Sequence, residues 1–262
     1  MINLMQYRGL SKDEVCLISR AEFENQKFIK RDFVLKLFND KKKADNLLYN
    51  LKKKGRLLQI ERGKYFIVPI KAPNQLWTPN EFITAKNWIG NTPYYIGYFT
   101  MYNYWGFTEQ IPQTIYILNA QKSRTKTIGN LKFKAVKIDN KKYFGVESIK
   151  IEDEEINISD KERTLVDLVY SYPGSFENMK KILTENIAKV DLEKFIKYLI
   201  KFPLKAVLKR AGYILESSGY ETAQIEKLKN NLGNEKTFIV FNPENQSRKG
   251  KLNNDWRLII NE

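Results

Sequence analysis

The chain has 262 residues, 42% of them hydrophobic and 13% aromatic, and 45 Lys and Arg against 30 Asp and Glu give a net charge of +15. That length suits two domains, and the apolar fraction is enough for a sizeable core. There is no histidine and one cysteine, Cys16, which excludes an internal disulfide, a cysteine metal cluster, the usual zinc sites and any nucleophilic catalysis that depends on histidine.

Ser11, Lys12, Asp13 and Glu14 have capping-box spacing and predict a helix running to about Asn25, with Val15, Ile18 and Ala21 inward. Cys16 falls among its apolar positions, so a buried thiol is expected. A second helix is predicted over residues 30–38, with Phe33, Val34, Leu37 and Phe38 inward. Residues 39–69 then read as a third helix, a glycine stop and a hairpin. Asn39 or Asp40 can cap this helix. Ala44, Leu47, Leu48 and Leu51 recur at offsets of three and four, so they share one buried face. Lys42, Lys43, Asn46, Tyr49, Asn50 and Lys53 fall on the other sides. Gly55 supplies the left-handed stop. Two short strands follow, joined through Glu61, Arg62, Gly63 and Lys64, and Pro69 ends the second.

Charge singles out the same region. Residues 26–66 hold thirteen Lys and Arg against four acids, a net +9 in less than a sixth of the chain. Such a concentration is the footprint of a polyanion partner. Lysine-rich helix surfaces also arise simply because they are solvated. Here, however, Lys41, Lys42 and Lys43 open a candidate recognition helix, and Arg62 and Lys64 flank a candidate wing tip, with Arg56 between the two elements. In a winged helix-turn-helix those positions face DNA phosphates, and each contact makes binding weaken with salt. Asn46 and Asn50 suit base edges, because an amide can pair bidentately with adenine.

Residues 71–79 contain two prolines and little periodicity, so a linker is expected between a DNA-binding domain at 1–70 and a larger domain at 80–262. Residues 81–88 suggest a short helix. Eight of the fourteen residues at 94–107 are aromatic. Interleaved Lys or Arg, which a base-stacking platform needs, is missing, so a core strand at 94–96 and a buried helix ending at Gly106 are expected. Strands are predicted at 114–118, 131–138 and 144–151, with a polar basic loop at 121–127 and a short edge strand at 154–158. A second capping box at Ser159, Asp160, Lys161 and Glu162 opens a helix on which Arg163 and Asp167 lie four apart and can pair. Helices with breaks near Pro173, Asp191, Pro203 and Gly219 follow, Asp191 capping one of them. Strands at 237–241 and 256–260 close the chain across a polar loop. The fold class expected is α+β: an N-terminal winged helix-turn-helix and a larger mixed α/β domain.

The order of these phrases resembles the AbiEi family of antitoxins from type IV toxin–antitoxin systems. It is carried by LLYNLKKKGRLLQIERGKYFIVP at 47–69, YYIGYFTMYNYWGFTEQIPQTIYIL at 94–118, FGVESIKI at 144–151, SDKERTLVDLV at 159–169, AVLKRAGYILE at 206–216 and WRLIIN at 256–261. The resemblance implies an N-terminal winged helix that binds inverted repeats in its own promoter as a repressor, and inverted repeats leave room for a dimer on the DNA. It also implies a C-terminal domain that opposes a nucleotidyltransferase-like toxin without a stable complex. This chain uses lysine where relatives often use arginine, and lysine does not reproduce arginine's bidentate recognition, so no operator sequence carries over.

Two other function classes stay open. One is a winged-helix regulator whose C-terminal domain senses a small molecule near the aromatic cluster. The other is a nucleic-acid-processing enzyme in which Asp153, Glu154 and Glu155 hold Mg²⁺. The plain reading of those acids is a solvated turn, and the chain has no Gly-rich phosphate loop. A binding protein without cofactor or catalytic residues is expected. With neither an N-terminal signal pattern nor an apolar run long enough to cross a bilayer, a cytoplasmic location is expected.

Overall fold

The structure is a computed structural model of the chain and describes residues 9–72, 77, 79–220, 223–245 and 247–261. By packing the chain divides into two units, Met1–Gly90 with Lys126–Lys132, and Asn91–Thr125 with Phe133–Glu262.

In the first unit, helix α1 (Lys12–Phe23) opens on the expected capping box. Glu14 N donates to Ser11 Oγ at 3.3 Å and Ser11 N donates to Glu14 Oε2 at 2.6 Å. Its buried stripe is Glu14, Leu17, Ile18 and Ala21. Val15 and Cys16 are exposed, so the buried thiol expected from the sequence is corrected: Leu17 and Ile18 set the phase of the apolar face and turn Cys16 outward. Strand β1 (Phe28–Lys30) leads into helix α2 (Arg31–Phe38), whose left-handed C-cap is Asn39 at φ 51°. Helix α3 (Lys41–Lys53) starts one residue later, with Asp40 accepting from Lys43 N at 3.0 Å. Its end has both bonds of a Schellman motif, Gly55 N to Lys52 O at 3.0 Å and Arg56 N to Leu51 O at 2.8 Å, with Gly55 at φ 70°. Strands β2 (Leu57–Glu61) and β3 (Lys64–Ile67) form a hairpin, and β3 also pairs antiparallel with β1, giving the order β1-β3-β2. Helix, strand, two helices and a hairpin is an order compatible with a winged helix-turn-helix. Ala44, Leu47, Leu48 and Leu51 pack with Leu17, Ile18, Val34 and Ile67 in one core. Burying such a face supplies most of a helix's stability in a small domain.

Helix α4 (Glu81–Ile89) belongs to this first unit, beyond the boundary read from the sequence. One tie is Lys64 Nζ, which donates to Asn87 Oδ1 at 3.0 Å. Of the expected linker, residues 73–76 and 78 lie outside the described residues.

The second unit is built on a six-stranded sheet. Strand β4 (Tyr94–Ile96) and helix α5 (Phe99–Tyr104) come from the aromatic stretch, as its composition predicts, with Thr100, Met101 and Tyr102 of α5 buried and Tyr104 exposed. They are followed by β5 (Thr114–Asn119), β6 (Arg124–Ile128), β7 (Leu131–Lys137), β8 (Val146–Ile151) and β9 (Glu154–Ser159), in the order β6-β7-β5-β4-β9-β8. The basic loop expected at 121–127 contains β6. The short strand expected at an edge, β9, is interior instead, because Ile156 and Ile158 are wholly buried and β8 takes the edge. Helices α6 (Lys161–Ser171), α7 (Phe176–Asn186), α8 (Leu192–Lys201), α9 (Lys205–Ser217) and α10 (Ala223–Asn230) follow. Asp191 caps α8 by accepting from Lys194 N at 3.0 Å. A small sheet of β10 (Ile239–Val240), β11 (Lys251–Asn253) and β12 (Leu258–Ile260) closes the chain, with β12 in the middle. Among the described residues, no helix is long and apolar enough to cross a membrane.

Candidate nucleic-acid interface

Helix α3 presents one continuous polar face. Lys41, Lys42, Asp45, Asn46, Tyr49, Asn50, Lys52 and Lys53 are all exposed, and Tyr49 stands 64% exposed in the middle of them. An exposed tyrosine flanked by two amides and several ammonium groups combines a flat apolar contact, base-edge hydrogen bonding and phosphate attraction on one helix. Arg62, at the hairpin turn, is exposed as well. Between α3 and the hairpin runs an open groove of about 620 Å³, lined by Arg31, Asp45, Tyr49, Lys52, Gln59 and Arg62 among others. A second, about 460 Å³, lies at the start of α3 against Asp13 and takes in Lys42, Lys43, Asn46 and Asn50.

Three of the ten residues singled out from sequence are otherwise engaged. Arg56 is buried, and its Nη1 donates to the Pro69 carbonyl at 3.0 Å. It holds the end of the hairpin to the end of α3 and leaves the interface set. Lys64 is half-buried, donates to Asn87 and lies 4.4 Å from the centre of the Phe28 ring. It ties β3 to α4, so of the pair flanking the turn only Arg62 faces outward. Lys43 is half-buried, 2.9 Å from Asp13 Oδ2 and 4.8 Å from the Phe38 ring centre. It reaches a phosphate only by exchanging Asp13 for it. Lys54, in the same basic run, pairs at 2.6 Å with the buried Glu14. Burial works against that carboxylate, but Lys54 and Ser11 together hold its pKa below the ordinary value.

The structure adds a residue that sequence reasoning missed. Arg31 makes a two-pronged contact with Asp45, Nε to Oδ1 at 2.6 Å and Nη2 to Oδ2 at 2.7 Å, and its backbone N donates to Gly63 O at 3.0 Å. One residue thus links the start of α2, the outer face of α3 and the turn of the hairpin. Asp45 is the lone acid on α3, and Arg31 neutralises it through these hydrogen bonds, which also lower its pKa. A pairing fourteen residues apart has no helical or strand period, so nothing in the sequence announces it.

No family model matches this chain, and no curated protein matches it in sequence. A crystal structure of the RV2827C protein from Mycobacterium tuberculosis superposes on it with a TM-score of 0.69 at 15% identity, over 96% of this chain and 92% of that one. The likeness covers both units and shows that the α+β fold has a counterpart of known structure.

Charge in the second unit is arranged in the opposite way. Arg163 and Asp167, paired as their spacing on α6 predicts, are both buried, with Nη2 to Oδ1 at 2.8 Å and Nε to Oδ2 at 3.3 Å. Arg163 Nη2 also donates to the Tyr95 hydroxyl at 3.0 Å, and its guanidinium lies 4.5 Å from the Phe144 ring centre. Burial pushes Asp167 up to about 6, against the pull of Arg163. The Tyr95 and Tyr102 hydroxyls are raised well above their ordinary value, again chiefly by burial. At the start of α6, Asp160 accepts from Arg163 N at 2.7 Å and from the Tyr198 hydroxyl at 2.8 Å, while Lys194 bridges Asp160 and Glu162 at 3.1 and 2.8 Å. Arg163 and the three carboxylates of this network are buried, with Lys194 at its solvent edge, and together they organise the sheet-to-helix junction. Asp153, Glu154 and Glu155 sit at the tip of the β8–β9 hairpin, and among the described residues no group of three or more Cys, Asp or Glu is placed to hold a metal ion.

Proposed function

We propose that this protein binds double-stranded DNA through α3 and the β2–β3 hairpin, represses its own promoter, and acts in the cytoplasm as the antitoxin of a type IV toxin–antitoxin pair. The observation that carries the DNA-binding half is the exposed face of α3, where Asn46, Tyr49 and Asn50 lie between Lys41–Lys42 and Lys52–Lys53, with Arg62 outward on the neighbouring turn. Helix α3 enters the major groove, its amides meet base edges, and Arg62 and the lysines hold phosphates. Arg31, oriented by Asp45, stands where the strand between helix and hairpin would pass. The antitoxin half is supported by the resemblance of the order of its sequence phrases to that of AbiEi proteins, and on that resemblance the second unit opposes a nucleotidyltransferase-like toxin.

The test has two arms. In cells, the chain should reduce expression from a reporter fused to its own upstream region, and R62E in α3's neighbouring turn should relieve that repression. Co-expressed with the product of the adjacent reading frame, it should restore growth, and R62E should still do so. Unchanged reporter expression rejects the repressor half. Growth arrest that persists in the presence of the chain rejects the antitoxin half.

A small-molecule effector is the second reading, and one observation favours a place for it. An open groove of about 320 Å³ in the second unit is lined by Phe99, Tyr116, Tyr172 and Pro173. A thermal-shift screen with a metabolite panel, repeated on Y172A, checks it: a shift seen with wild type and lost in the variant supports an effector site there.

A further inference from the structure

The net charge of this chain resides in two segments. Residues 26–66 carry +9, and residues 120–138 carry six Lys and Arg with no acid at all, a further +6 that completes the total of +15. Everything else is balanced. The second segment is the β6–β7 hairpin, whose tip, Lys126–Lys132, packs within the N-terminal unit. There Lys126 Nζ donates to the Ile60 carbonyl of β2, and a side chain placed on Gly129 would meet Leu58 of β2 at 3.4 Å. The tip therefore lies against the first strand of the wing.

Alternation along the hairpin sorts its side chains. Phe133 and Ala135 are buried, while Thr125, Thr127, Lys132 and Lys134 are exposed. Hydroxyls and ammonium groups in two neighbouring rows are donors suited to phosphate oxygens. Lysine on an edge strand ordinarily serves to block strand-to-strand aggregation, and β6 is an edge. That role is met by cations on the edge strand itself, such as Arg124 and Lys126 of β6. It does not call for six cations without one acid, nor for lysines on β7, the strand inside the edge.

We infer that the β6–β7 hairpin is a second DNA-contacting element, with Lys132 and Lys134 holding backbone phosphates. The inference rests on the DNA-binding reading above and extends its footprint beyond the winged helix. Double-stranded DNA is favoured over an acidic protein because the tip adjoins the wing and shares its sign of charge.

The experiment is a salt titration of the 262-residue chain on a duplex carrying its own upstream region, with wild type, K132Q/K134Q, K132R/K134R and K42Q/R62Q compared. Each lost phosphate contact lowers the slope of log affinity against log salt by about 0.9, so K132Q/K134Q should lose about two units of slope, or about tenfold of the wild-type drop between 50 and 200 mM salt. Its melting temperature should match wild type, and K132R/K134R should keep the wild-type slope. An unchanged slope in K132Q/K134Q alongside a lowered one in K42Q/R62Q overturns the hairpin's role and leaves the winged helix standing. Failure of K132Q/K134Q to restore growth beside the adjacent gene product, with its DNA slope intact, assigns the lysines to a protein and overturns the inference as well. A wild-type chain that ignores the duplex at every salt concentration rejects the DNA reading beneath it.

Discussion

Two arginine–aspartate pairs with nearly the same geometry sit in opposite surroundings. Arg31 and Asp45 meet at 2.6 and 2.7 Å on the surface of α3, both in contact with solvent. Arg163 and Asp167 meet at 2.8 and 3.3 Å with almost no exposed surface. Water screens the first pair, so it contributes little to folding, and its value lies in orienting Arg31. The second pair is cut off from water, and desolvation decides its chemistry: Asp45 is held below the ordinary carboxylate pKa by Arg31, whereas Asp167 is pushed up to about 6 by burial. The same two side chains thus serve as an adjustable surface device in one unit and as a fixed internal joint in the other.

The largest effect should come from breaking the internal joint. Arg163→Met keeps the volume but leaves Asp167 buried without its cation, and a urea melt should show a loss of about 3–5 kcal/mol. Replacing both partners, as R163M/D167L, should recover much of that loss, since an apolar pair needs no desolvation. A mild single-variant effect would mean that the pair is wetter than its geometry implies.

Next in size is a pH effect of definite sign. Because the folded pKa of Asp167 is about 6 and its ordinary value is 3.8, folding takes up a proton between those limits. The stabilisation is fully present below about pH 4 and is lost as pH rises through 6, up to about 3 kcal/mol in all. Relative to D167N, wild type should therefore gain stability between pH 7 and pH 4.5. A constant difference across that range would place Asp167 at an ordinary pKa. Asp45, with its depressed pKa, has the opposite sign, contributing above its ordinary pKa and losing the contribution on acidification.

Steric closeness to the joint gives a third handle. Gly145 has φ 66°, and a Cβ there would fall 2.6 Å from Arg163 Cβ. Gly145→Ala should cost about 1–3 kcal/mol through overpacking and the left-handed backbone. The smallest stability change is expected at the surface pair, where Arg31→Ala should leave the melt close to that of wild type. On the proposed DNA-binding reading, the same variant should lower the salt slope by about 0.9.

How much of this was legible in the sequence follows from where each side chain's partners lie. The apolar stripe of α3, the Gly55 stop and the capping box of α1 depend on neighbours within four residues, and they stand as read; the second box does not form, because Asp160 rather than Ser159 caps α6 and Glu162 accepts from Asp191 N instead. The aromatic stretch went correctly to the core because it lacked cations. Arg163 and Asp167 were legible as a pair but not as a buried one, since burial depends on Tyr95 and Phe144 from distant strands. Arg56 and Lys64 looked like surface cations for the same reason: their acceptors, Pro69 O and Asn87, are thirteen and twenty-three residues away. Strands β1, β6 and β11 escaped notice because three-residue or lysine–threonine strands have too little apolar alternation to register. The phase of α1 turned on Leu17 and Ile18 against Val15 and Cys16, adjacent residues of similar character.

Everything proposed for the first unit depends on the exposed face of α3 reading DNA sequence. Fluorescence anisotropy with a duplex from the chain's own upstream region and a scrambled duplex of equal length and composition, at about 150 mM salt, tests that directly. A specific site is expected to be bound about a thousandfold or more tightly than random sequence, with N46A/N50A bringing the two affinities together and R62E weakening both. Equal affinity for the two duplexes, unaltered by N46A/N50A, would contradict the account.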